Sequence, residues 1–83
     1  MTTVATDFMA RGMNHVQADE LATQIDGTPS APKLIAFGFS VPLANELVAQ
    51  MTAGTGIELN LMALGMPGAL AAKVAADITT AGP

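Results

Sequence analysis

Apolar positions along this chain recur at helical spacing. Near the middle, Leu43, Ala44, Leu47, Val48 and Met51 fall at i, i+4 and i+8 with flanking neighbours, one stripe of an α-helix. The strict alternation that a half-buried strand needs is absent. The stripe belongs to a longer pattern that is written three times: residues 8–25 (FMARGMNHVQADELATQI), 34–51 (LIAFGFSVPLANELVAQM) and 61–78 (LMALGMPGALAAKVAADI) align without a gap. The third position is always Ala (Ala10, Ala36, Ala63) and the eleventh is always Ala (Ala18, Ala44, Ala71). The fifth is always Gly (Gly12, Gly38, Gly65), followed by a large apolar residue (Met13, Phe39, Met66). The fourteenth is Leu21, Leu47 or Val74, and the last is Ile25, Met51 or Ile78.

Each segment predicts a short helix, a glycine turn and a longer helix. Glycine just past a helix end adopts a left-handed conformation without steric cost, and the apolar residue after it packs back on the last turn. Asn14 and Ser40 then stand where an N-cap is needed, and Pro67 suits the start of a helix. The first helix is expected to turn Val4, Phe8 and Met9 inward in one segment and Ile57, Leu61 and Met62 in another. Pro29 and Pro32 restrict where the first helix of the middle segment begins. The repeated alanines are expected to let the paired helices approach closely. Neither helix is long enough to persist alone in water.

The fold expected is therefore all-α: three tandem helix–turn–helix hairpins, at residues 3–25, 34–51 and 57–78. Pro- and Gly-bearing residues 26–33 (DGTPSAPK) form one linker, residues 52–56 (TAGTG) a second and flexible one, and residues 79–83 a fraying tail.

Composition sharpens the functional expectation. Half the residues (51%) are apolar and 12% are charged, against about 25% charged in an average soluble domain. A chain this short buries only about 60% of its unfolded surface, so some apolar groups are expected outside, where they mark a partner site. The net charge of −4 leaves only Arg11, Lys33 and Lys73 to face phosphates, too few for nucleic acid or anionic lipid. No stretch is long and apolar enough to span a bilayer, and no signal peptide is visible at the start. A soluble protein acting where it is made is expected.

Candidate chemistry is sparse, and no enzymatic activity is expected. His15 is the only histidine and there is no cysteine, so no metal site is expected, and a surface role fits His15 best. Asp19 and Glu20 are adjacent and face different ways on a helix, as solvated residues do. The serines and threonines lack a base. The glycines are isolated and form no phosphate loop, so no cofactor is expected. The six methionines suit either gap-filling or an adaptable docking surface. The residues expected to hold the turns or meet a partner are Gly12, Met13, Gly38, Phe39, Gly65, Met66, Leu43, Leu47, Leu70 and Val74.

The string Leu-Met/Ile-Ala-Leu/Phe-Gly-Met/Phe-Ser/Pro, carried by residues 34–47 and 61–74 with 8–21 as a divergent copy, resembles short repeats in small virion structural proteins of tailed bacteriophages. The resemblance implies a non-enzymatic capsid decoration, head-fibre or tail attachment protein, made in the host cytoplasm and located in the virion. Its partners would be other virion proteins of the capsid or tail, and itself, with no nucleic acid, membrane or small-molecule substrate. The glycine turns also look like the loop of ubiquitin-associated domains, although those have three helices. The alternative function is a small helical adaptor that binds a peptide or helix of a partner in an apolar groove.

Overall fold

In the computed structural model, which describes residues 2–81, the chain forms six helices: α1 (Thr2–Ala10), α2 (His15–Asp26), α3 (Ala31–Ala36), α4 (Val41–Ala53), α5 (Glu58–Ala63) and α6 (Gly68–Ala81). Short and long helices alternate. The three glycine turns explain why. Gly12, Gly38 and Gly65 sit at φ 110°, 106° and 108°, which a side chain would oppose.

Each of these glycines closes the preceding helix in the same way. The Gly12, Gly38 and Gly65 amides donate to the carbonyls of Met9, Ile35 and Met62, at 3.1, 3.0 and 3.1 Å. The next amides, of Met13, Phe39 and Met66, reach back to Phe8, Leu34 and Leu61 at 3.1, 3.1 and 3.0 Å. This Schellman pattern satisfies carbonyls that the helix end would otherwise leave unpaired, and it folds the apolar residue onto the helix it follows. Both members of each apolar pair are buried: Phe8 with Met13, Leu34 with Phe39, Leu61 with Met66. The long helices then start on caps. Asn14 Oδ1 accepts from the Gln17 amide at 2.8 Å, and Ser40 Oγ accepts from Leu43 at 3.4 Å. Pro67 directly precedes α6.

The helices close into a circuit. Each packs on its neighbours in sequence, and α6 packs on α1 as well as on α2 and α4. The core between them is one cluster. It is filled by residues at matching places of the three segments: Phe8, Leu34 and Leu61, then Ala18, Ala44 and Ala71, then Leu21, Leu47 and Val74, all at 0% exposure. The folded chain exposes 4285 Å², whereas an unfolded chain of this mass exposes about 12,000 Å². Each helix too short to stand alone thus finds its support within the chain.

Several expectations from the sequence need correction. The first linker is shorter than residues 26–33, because α2 continues through Asp26 and α3 already begins at Ala31. Pro32 lies in the first turn of α3, where its missing N–H costs nothing. The second linker is not residues 52–56: α4 runs to Ala53, where Gly54 caps it at φ 76°, and α5 starts at Glu58. Its glycine is tied to α6. The Gly56 amide donates to Thr79 Oγ1 at 3.1 Å, and a Cβ at Gly56 would lie 2.4 Å from the backbone Cα of Ala75. Thr79 is held in turn by the Ala75 carbonyl at 2.9 Å, so α6 extends through the expected tail as far as Ala81. The last residues, 82 and 83, lie outside the described chain.

The inward sets also differ. Phe8 and Leu61 are fully buried and Val4 and Met9 partly so, but Ile57 and Met62 are exposed. Among the repeated alanines, Ala18, Ala44 and Ala71 mediate close packing. Ala10, Ala36 and Ala63 are exposed, because the last residue before each turn faces outward.

Polar side chains lock the seams between successive segments. Buried Gln24 takes the Ser30 amide on its Oε1 at 2.8 Å and donates to the Ser30 carbonyl at 3.1 Å and to Glu20 at 2.6 Å. Buried Gln50 repeats two of these bonds, to Glu46 at 2.7 Å and to the Ile57 carbonyl at 3.3 Å. At the third seam no linker connects α6 to α1. There Lys73 stands where Glu20 and Glu46 stand, and Asp77 where Gln24 and Gln50 stand. The Lys73 ammonium meets Asp77 at 3.3 Å and Asp7 of α1 at 3.2 Å. Hydrogen bonds from Lys73 to Asp7 and then to Asp77 raise its pKa above the usual 10.5.

Three substitutions test this packing. Gly56→Ala forces backbone against backbone and should lower stability by about 2–3 kcal/mol in urea unfolding. Gly65→Ala meets no atom within 4 Å, and its left-handed backbone alone should cost only about 1–2 kcal/mol. Lys73→Met should cost about 1 kcal/mol near neutral pH. Because the folded state raises the Lys73 pKa, its contribution is complete below the unfolded value and fades as pH climbs through the raised one. Wild type and Lys73→Met should therefore converge in stability once pH rises above the raised Lys73 pKa; a constant gap at all pH values would contradict the ion-pair role.

Candidate functional site

The three glycine turns meet at one end of the molecule. Around a shallow depression of about 190 Å³ lie Gly12 and Met13, Gly38 and Phe39, and Gly65 and Met66, with Leu43 and Leu70 from the first turns of α4 and α6. Eight of the ten residues singled out from the sequence are thus brought together. The remaining two, Leu47 and Val74, lie one helical turn deeper, wholly inside the core. They hold the helices together and have no face to offer.

The depression has an apolar floor. Met13, Phe39, Leu43, Met66 and Leu70 each keep less than a tenth of their surface exposed, so their packing holds them in place. Gln17, Ser40 and Pro67 complete the lining, and no charged side chain takes part. Over Gly12 and Gly65 there is open space, since a Cβ at either would meet nothing within 4 Å. Gly38 is covered by the Gln17 amide group, 2.7 Å from where a Cβ would lie. Gln17 occupies the place that Leu43 and Leu70 fill in the other two segments, and no sequence signal distinguished it.

This end also collects the N-terminal turns of α2, α4 and α6. Their C-terminal ends gather at the opposite pole around a wider depression of about 330 Å³, lined by Ile25, Met51 and Ile78 together with Asp26 and Thr52. The long helices therefore run in the same sense.

Elsewhere the ionisable groups lie dispersed. His15 and Asp19 pair across one helical turn at 3.1 Å, with 73% and 53% of their side chains exposed. Among the described residues no three His, Asp or Glu side chains converge as metal ligands would. Nor, among the described residues, is any helix long and apolar enough to cross a membrane. Comparisons with protein-family models, with curated proteins and with solved structures return no match.

Gln17→Leu tests how the seat is built. It places the same residue at all three equivalent positions, in half-buried surroundings that need no amide. Thermal unfolding should show a stability gain of up to about 1 kcal/mol; a loss would mean that the Gln17 amide is required over Gly38.

Proposed function

We propose that this protein is a non-enzymatic protein-interaction module, built as three helical hairpins closed into a ring about a pseudo-threefold axis. Its docking seat is the depression at the glycine pole. The observation that carries this reading is the convergence of matching residues from all three segments on one apolar floor, with open space above two of the glycines. An apolar cavity of roughly 150 Å³ holds a benzene ring, so a seat of about 190 Å³ suits one aromatic or leucyl side chain. Single apolar anchors of this kind dominate many interfaces.

A virion structural role is a second reading, supported by the repeated Leu-Met/Ile-Ala-Leu/Phe-Gly motif in residues 34–47 and 61–74. On that reading the anchor comes from a capsid or tail protein. Its stronger form, three hairpins docking separately on a lattice, requires the hairpins to leave the common core.

The state of the isolated chain separates these forms. A closed ring should sediment as a monomer, unfold in one cooperative step and leave an apolar dye dark. With methyl-labelled methionine, millimolar acetyl-Gly-Phe-Gly-amide should move the NMR signals of Met13 and Met66 and leave Met51 and Met62 in place. A self-associating, dye-binding chain would favour separate docking. Unmoved Met13 and Met66 signals would remove the seat.

A further inference from the structure

We infer that the groove between α2 and the end of α3 is a second docking surface, occupied by a partner segment that sets one apolar side chain beside a lysine or arginine. The inference rests on reading the protein as an interaction module and adds the chemistry of a partner. The groove encloses about 240 Å³ and is lined by His15, Val16, Asp19, Glu20, Thr23 and Phe37. Its apolar part is open to solvent, with Val16 at 49% and Phe37 at 39% exposure.

Its lining holds two carboxylates and no lysine or arginine. Asp19 pairs with His15 at 3.1 Å, and Glu20 accepts from the neutral amide of Gln24 at 2.6 Å. Among the described residues, no lysine or arginine forms an ion pair with either carboxylate. An apolar floor beside two carboxylates that no lysine or arginine of the groove offsets complements a cationic segment with an apolar anchor, and repels an acidic one.

The chain itself supplies the control for whether these residues serve the fold. The corresponding positions of the other two segments lie along α4 and α6. Leu64 and Arg11 correspond to Phe37, and Asn45 and Ala72 to Asp19. The same helix packing forms with neither the aromatic ring nor the carboxylate. Phe37 and Asp19 are thus dispensable to the scaffold, and their coincidence in one groove is explained by what the groove receives.

The test is an NMR titration of the isotope-labelled chain with two five-residue peptides, one placing leucine between lysines and the other between glutamates. The lysine peptide should shift amides of residues 15–23 and 37, with affinity falling as salt rises. Asp19→Lys and Phe37→Ala should each weaken it about fivefold or more, with melting curves that show the fold intact. Equal binding of the glutamate peptide, or an unaffected Asp19→Lys variant, would overturn the inference. So would concentration-dependent shifts of the groove without peptide, which would make a second copy of this chain the occupant. Failure here, with Met13 and Met66 still responding to the phenylalanine peptide, would leave the pole seat standing; the reverse result would remove the seat and keep the groove.

Discussion

Three times along this chain the backbone must reverse within a few residues, and each time it does so through a glycine at positive φ followed by an apolar side chain. The two halves of that device depend on one another. Positive φ aims the next amide back at the carbonyl five residues earlier, and this delivers Met13, Phe39 or Met66 onto Phe8, Leu34 or Leu61. Helices α3 and α5 have only six residues each, far below the length that persists alone in water. Without the turns they would have neither an end nor a partner. With the turns in place, each long helix leaves at a set angle and its buried stripe meets the common core.

The local parts of this structure were legible in the chain, and the parts made between segments were not. A glycine before a large apolar residue and a capping side chain predicts its own geometry, because the atoms involved lie within a few residues. The gathering of Gly12, Gly38 and Gly65 around one depression needs the helices placed first. The seams hid for a similar reason. Gln24 and Gln50 look like surface residues on the polar side of a helix, and nothing nearby in sequence says that a linker folds over them. Gly56 reads as a flexible spacer in TAGTG until α6 is laid against it. The third-position alanines misled in the opposite direction, since identity across three segments suggested contact at places that face solvent.

Polar interactions decide how the circuit closes. Two seams run through covalent linkers and are held by glutamines bonded to the linker backbone. The third joins chain segments far apart in sequence, and there an ammonium bridges two carboxylates on different helices. A neutral amide serves where the linker keeps the partner close by. A charged bridge serves where the partner must be found; both kinds of seam leave a buried oxygen without a hydrogen bond, Gln50 Oε1 at the second and Asp77 Oδ2 at the third.

Closure of the circuit has a topological consequence. The start of α1 and the end of α6 lie at the pole where the two linkers also run, and α1 beside α6 repeats the way α3 lies beside α2 and α5 beside α4. The packing of the core therefore records which helix neighbours which, and only the polar seams, glutamine at two and Lys73 at the third, mark the place where no linker runs. A circularly permuted chain, opened at residues 27–30 and joined from Ala81 to Thr2 by a short loop, has the same core available to it.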